Sequence, residues 1–151
     1  MKTKTCGITG HREIINADHV WDVIGFEVMA ALLEGYTYFI SGMANGADME
    51  FAGLIAKVKE YIPFITLEAA IPYRDRLNAN NPRLQELLGK CDKITVTSEE
   101  YSRNCYLIRN SYLVKNSDKL IAVFDGRKRG GTVQTINIAR KKKCEIRLVM
   151  I

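Results

Sequence analysis

Apolar and polar positions along the chain follow two alternating periods. Short runs of apolar and β-branched residues recur at 5–8, 36–41, 65–71, 93–97, 119–124 and 146–151, with a helix-sized segment between each pair. In those segments the apolar positions shift to helical spacing: Val20, Ile24, Val28, Ala31 and Leu32 share one face, as do Phe51, Leu54, Ile55 and Val58. Leu84, Leu87 and Leu88 mark a shorter helix after Asn80-Asn81-Pro82, and residues 106–114 mark another, stopped by Asn116-Ser117. Strands alternating with helices predict the α/β class, specifically a three-layer, Rossmann-like open sheet, mostly parallel, of about six strands with helices on both faces. Residues 120–124 are apolar at every position, as in a central parallel strand covered on both sides. The helical stripes are core-forming, and Lys141-Lys142-Lys143 closes the last helix where cations complement its negative end.

Composition narrows the class. A chain of 151 residues, 47% hydrophobic and 26% charged, fits one domain over 1–151 with no linker, repeat or low-complexity segment. No stretch approaches the ~20 uninterrupted apolar residues of a membrane span, so no membrane partner is expected. The first residues do not read as a signal peptide, and a cytoplasmic location is expected. Cys6, Cys91, Cys105 and Cys144 lack metal-finger or redox spacing and read as reduced thiols, with no metal site and no obligatory cofactor. The net charge of +5 is local, since residues 127–147 hold eight basic residues against the acid Glu145.

Three turns sit where a strand pattern stops and a helix pattern begins. They are Thr9-Gly10-His11-Arg12, then Ser41-Gly42-Met43-Ala44-Asn45-Gly46-Ala47-Asp48, then Gly130-Gly131-Thr132. In an open α/β sheet such turns line the crevice at the carboxyl ends of the strands, where backbone N–H groups and helix starts face an anion. The second turn is neither the G-x-G-x-x-G of dinucleotide enzymes nor a P-loop. Asp48 there caps a helix or meets a ribose hydroxyl, and capping is the simpler role. His11 and Arg12 offer an imidazole that titrates near neutrality and a bidentate guanidinium. Pro72-Tyr73-Arg74-Asp75-Arg76 adds a ring suited to stacking on a base, and Arg127-Lys128-Arg129 lies just before the third turn. Each feature is also compatible with an ordinary surface turn.

Taken in order, the first two turns, Pro72-Tyr73-Arg74, residues 116–123 and Phe124-Asp125-Gly126 leading to Gly130-Gly131-Thr132 resemble the YpsA-like branch of the SMF/DprA and LOG (SLOG) superfamily. The resemblance runs from about Cys6 to Ile151 and implies a Rossmann-like sheet with a pocket for nucleotide-derived ligands. The superfamily includes phosphoribohydrolases, DNA-processing proteins and sensors of signalling nucleotides. The hydrolases use an Arg that matches Arg109 and a Glu three residues after the turn's Thr. That Glu position falls on Thr135, beside Gln134, so the carboxylate that stabilises an oxocarbenium-like state is absent there.

The expected function is therefore a binding or sensing domain for a nucleotide or a nucleotide-derived phosphate ligand. Phosphate is expected at the second and third turns, with base or ribose near Tyr73 and Asp48, and with Arg12, Arg74 and Arg109 converging on the anion. The expected ligand-binding set is Thr9, Gly10, His11, Arg12, Ser41, Gly42, Met43, Gly46, Ala47, Asp48, Tyr73, Arg74, Arg109, Asp125, Gly126, Gly130, Gly131 and Thr132. The rival is a nucleoside-phosphate N-glycosidase using Arg109 with Asp48, Glu50 or Asp125 as carboxylate. A DNA-binding protein is the third reading, weakened by the lack of aromatic residues in 127–147. A homodimer is expected by analogy with the superfamily, with residues 101–112 offering a tyrosine-bearing face.

Overall fold

Six strands join one sheet in the order β4-β3-β2-β1-β5-β6. The computed structural model describes residues 3–151. The strands are β1 (Thr5–Gly10), β2 (Tyr38–Ser41), β3 (Thr66–Ile71), β4 (Lys93–Val96), β5 (Lys119–Phe124) and β6 (Glu145–Met150), and the five pairings are all parallel. The helices between them are α1 (Ala17–Leu33), α2 (Ala47–Tyr61), α3 (Pro82–Lys90), α4 (Cys105–Lys115) and α5 (Gly131–Lys142). The α/β open sheet expected from the sequence is thus present, and it is wholly parallel.

Alternation along the strands separates the two cores. Phe39, Ala69, Ile71, Ile121 and Val123 pack with the buried faces of α1, α2 and α3, while their neighbours Ile40, Ala70 and Leu120 pack with Leu113 and Val114 of α4 and Ala139 of α5. Helices therefore cover both faces, as period-two side chains on a doubly buried sheet require. Helix starts follow local chemistry: Asn81 accepts the Leu84 N–H at 3.1 Å and Pro82 occupies the first helical turn of α3. Lys142 departs from its expected role. Its ammonium donates to the carbonyls of Val114, Lys115 and Ser117 at 2.8, 2.6 and 2.9 Å, and so caps the end of α4 instead of its own helix.

β1 lies between β2 and β5. The chain winds outward from β1 to β4, then crosses back to β5 on the other side of β1, creating the topological switch point at which ligands of open α/β sheets bind. Among the described residues no helix is long and apolar enough to cross a membrane.

Candidate functional site

The β1–β5 switch point opens into a crevice of about 520 Å³, within the ~300–1,000 Å³ range of small-molecule sites. Its wall is built from all three junctions: Thr9, Gly10, His11 and Arg12 after β1, Ala44 and Asp48 from the second turn, and Gly131 and Thr132 from the third. Tyr106, Arg109 and Asn110 of α4 and Arg127 close it. A second cavity of about 90 Å³ adjoins it through the shared residues Arg12, Ala44, Tyr106 and Arg109, and adds Gly42, Tyr73 and Arg76.

The third junction has the chemistry of an anion site. Gly130 precedes α5 at φ 120°, a conformation that favours glycine, and no side chain caps the helix. Among the described residues the N–H groups of Gly131, Thr132 and Val133 find no acceptor in the protein, so the positive end of α5 faces the crevice. Gly131 needs no special backbone. A Cβ placed there meets nothing closer than the Asn110 Nδ2 at 3.8 Å, and its φ lies outside the left-handed range.

The second junction works differently from the expected phosphate cradle. The Met43 N–H donates to Ser41 Oγ at 3.1 Å, the Ala44 N–H to Asp48 Oδ2 at 3.3 Å, and the Ala47 N–H to the His11 carbonyl at 3.3 Å. Ser41 Oγ in turn donates to the Asp48 carbonyl at 2.9 Å, and Met43 is fully buried. Ser41, Met43, Gly46 and Ala47 therefore hold the turn shut and dock it on the first turn. Gly46 is the hinge of that docking, at φ 83° with its α-carbon against the His11 and Arg12 carbonyls.

Asp48 is the exception on this turn, because its side chain reaches the crevice. It caps the turn before its helix through the Ala44 N–H, not the helix itself, which starts from Gly46 without a side-chain cap. Its Oδ1 is buried and has no hydrogen-bond partner. Burial pushes the carboxyl up to about 6, against the opposing pull of the Arg109 guanidinium. A buried carboxylate oxygen without a donor costs the fold free energy, and a ligand hydroxyl or amino group would satisfy it.

Arg109 is 6% exposed and fixed from three directions. Its Nη1 donates to the carbonyls of Gly42 at 2.5 Å and Ala70 at 3.4 Å, and its Nε to Asn110 Oδ1 at 2.8 Å. The guanidinium stacks toward Tyr106, whose ring centroid lies 5.8 Å from Arg109 Cζ and 5.7 Å from Arg12 Cζ. Tyr73, Tyr101 and Tyr106 meet edge to face with centroids 5.4–6.3 Å apart, forming an aromatic rim beside the smaller cavity. Tyr112 leaves this group and donates to the buried Glu68 carboxylate at 2.6 Å.

His11 ties the first turn to the other two sides of the crevice. Its Nε2 accepts the Asp125 N–H at 3.2 Å, and Nδ1 lies 3.4 Å from the Thr132 hydroxyl. Burial lowers its basicity, countered by the Asp125 carboxylate, so the imidazole stays neutral to lower pH than a free histidine does. Asp125 is itself held far below the usual carboxylate range by hydrogen bonds from the Arg127 side chain and N–H.

Besides the residues that hold the second turn shut, four expected site residues line neither cavity: Arg74, Asp125, Gly126 and Gly130. Arg74 lies outside both cavities and is committed to an exposed pair with Glu99, Nε to Oε2 at 2.6 Å, because it opens a 3-10 turn (Arg74–Asn78) that swings it away. Arg76, two residues on, points back to the Met43 carbonyl at 3.2 Å and lines the smaller cavity in its place. Gly126 borders neither cavity. Thr135, at the position of the hydrolases' Glu, is 1% exposed and donates to the Gly131 carbonyl at 2.7 Å, whereas its neighbour Gln134 lines the crevice. Among the lining residues absent from the expected set are Glu13, Ala44, Arg76, Tyr106, Asn110, Arg127 and Gln134. Arg76 and Arg127 carried a signal as cations of two noted motifs, and Tyr106 lies one turn from Arg109 on the same helix. Among the described residues no group of three or more His, Cys, Asp or Glu side chains is arranged to hold a metal ion.

Comparison with known proteins gives a consistent picture. The model of the YspA SLOG family (YpsA) matches residues 11–150. The UPF0398 protein BH1768 of Halalkalibacterium halodurans is 25% identical over 123 residues, covering 78% of this chain and 65% of that protein's length. The solved structure of DNA processing protein A from Helicobacter pylori, described for its single-stranded DNA binding mode, superposes with a TM-score of 0.71 at 14% identity, over 96% of this chain and 64% of the other. The Moco carrier protein of Chlamydomonas rheinhardtii superposes at 0.57 with 13% identity, over 97% of this chain and 76% of the other. These likenesses show the fold. The chain spans slightly under two thirds of the first two relatives.

Proposed function

The chain belongs to the YspA SLOG family, and we propose that it is a binding or sensing domain for a nucleotide or nucleotide-derived ligand, with a phosphate seated at the start of α5. The observation that carries this reading is the pairing of opposite needs across one crevice. On one wall three first-turn N–H groups of α5 lack acceptors; on the other the buried Asp48 Oδ1 lacks a donor. A phosphate answers the first and a ribose hydroxyl the second. The tyrosine rim beside them supplies faces and edges for a base.

The test is calorimetric titration with adenosine 5′-monophosphate. Gly131→Val puts a branched side chain where the phosphate approaches the backbone. It meets no protein atom closer than ordinary contact at its Cβ, so the variant is expected to fold normally by circular dichroism. Loss of two or three charge-assisted bonds should weaken binding by about 10- to 100-fold. Lys141→Ala, on the exposed surface near the other end of α5, should change affinity less than about twofold. Equal losses in the two variants would show that diffuse basic charge drives association.

The N-glycosidase reading has one supporting observation, the Asp48 carboxyl poised at about 6 inside the crevice. Of its other candidate carboxylates, Glu50 does not line the crevice and Asp125 is paired with Arg127. With Thr135 buried, the protein is expected to release no base from nucleoside monophosphates in a chromatographic assay. Gln134→Glu, not Thr135→Glu, is the substitution that would place a carboxylate at the crevice wall. Turnover by the unaltered protein that disappears in Asp48→Asn would replace the binding reading with the catalytic one.

A further inference from the structure

The smaller cavity holds three guanidiniums and no carboxylate in its lining. Arg12, Arg76 and Arg109 converge there, with Tyr73 and Tyr106 as aromatic walls. Among the described residues none of the three arginines forms an ion pair within 4 Å, whereas Arg74, Arg83, Arg127 and Arg147 do. Arg109 is buried, Arg76 half-buried and Arg12 exposed, so the cup runs from the protein interior to solvent. Gathering like charges around one space is costly unless an anion neutralises them, and guanidinium forks match tetrahedral oxyanions. At about 90 Å³ the space is several times smaller than the main crevice of about 520 Å³, a size suited to one anionic group and not to a whole nucleotide.

We infer that this cup is a second phosphate subsite, and that the ligand class is a nucleotide phosphorylated at two separate positions, as in a nucleoside 3′,5′-bisphosphate. The adjoining of the two cavities supports the assignment, which rests on the binding reading above. Gly131 and Thr132 at the α5 N-terminus and Asp48 line the main crevice, and the arginine cup adjoins it through the shared residues Arg12 and Arg109. A ribose at Asp48 then carries one phosphate toward α5 and the other into the cup. The base lies against the tyrosine rim, outside the cup.

Two measurements test this. In the first, adenosine 3′,5′-bisphosphate and adenosine 5′-monophosphate are titrated into the intact protein and into the Arg76→Gln variant. Charge-assisted hydrogen bonds to the second phosphate should make the bisphosphate bind about 10- to 100-fold more tightly to the intact protein. The Arg76→Gln variant, altered at an arginine that lines the cup and not the main crevice, should lose most of that advantage while its monophosphate affinity moves less than about threefold. Equal affinities in the intact protein, or equal losses for both ligands in the variant, would overturn the proposal. In the second, inorganic phosphate is titrated and followed by NMR. A shift at the Arg76 Nε–H signal reports the cup; shifts at the Gly131 and Thr132 amides report α5. Amide shifts without arginine shifts would overturn the cup and leave the binding reading standing. Arginine shifts alone would do the reverse, and neither would overturn both.

Discussion

Gly46→Ala is expected to destabilise the protein by about 3–5 kcal/mol, a large part of the ~5–15 kcal/mol that holds a domain together. Two costs add. The backbone at Gly46 sits at φ 83°, ψ −128°, which side chains with a Cβ rarely adopt. The added Cβ also lies 2.6 Å from the Arg12 carbonyl and in contact with that of His11, both of them backbone atoms that cannot swing aside. Relief requires the second turn to lift from the first, breaking the Ala47 N–H bond to the His11 carbonyl. Because those two turns form adjoining walls of the crevice, nucleotide affinity should fall with stability. Urea unfolding gives the measurement, and Gly35→Ala is the comparison: that glycine also has positive φ, 91°, but meets open space, so it carries the backbone cost of about 1–2 kcal/mol alone. Equal losses in the two variants would show that the contact between turns contributes nothing.

Asp48→Asn is expected to do the opposite and stabilise the protein at pH 8, by about 2–3 kcal/mol, since one pKa unit corresponds to ~1.4 kcal/mol. The sign follows from the direction of the shift. The folded carboxyl titrates at about 6 against 3.8 when free, so ionising it above pH 6 costs folded stability. As pH falls through 6 toward 4 the folded form takes up the proton first, and the parent protein gains stability that the asparagine variant already has. The difference between the two should therefore be full at pH 8 and absent by about pH 4. A gap independent of pH would mean that the shift comes from something other than burial of the charge. The same substitution should weaken adenosine 5′-monophosphate binding by about 10-fold, through loss of a charged acceptor for the ribose. A residue that costs stability when charged and strengthens ligand binding when charged is the expected pattern of a site group.

Both predictions concern residues whose role is set by neighbours distant in the chain, and this divides what was legible from what was not. Local pattern carried the fold. Period-two apolar runs and helical stripes located all six strands to within about two residues, and they located the helices because burial on a sheet face or a helix stripe is a property of spacing alone. The Asn81-Pro82 helix start was equally local, written in two adjacent residues. The three junctions were visible for the same reason, and the parallel topology that follows from strand–helix alternation brings their residues to one end of the sheet.

What each junction residue does was decided by tertiary structure. Amides in the second turn are consumed by Ser41, Asp48 and His11, while those of α5 remain open, although both turns are glycine-bearing strand-to-helix links. Arg74 and Arg76 are two residues apart and chemically identical. The 3-10 turn sends the first to Glu99 in solvent and the second into the cup with Arg12 and Arg109. Lys142 finds three carbonyls at the end of another helix. Hydrophobic periodicity carries no information about such choices, because the partner of a polar side chain is set by which elements the fold packs together. The chain by itself determined its strands, its helices and where a crevice would open; only the packed molecule decided which donors, acceptors and charges that crevice leaves unsatisfied.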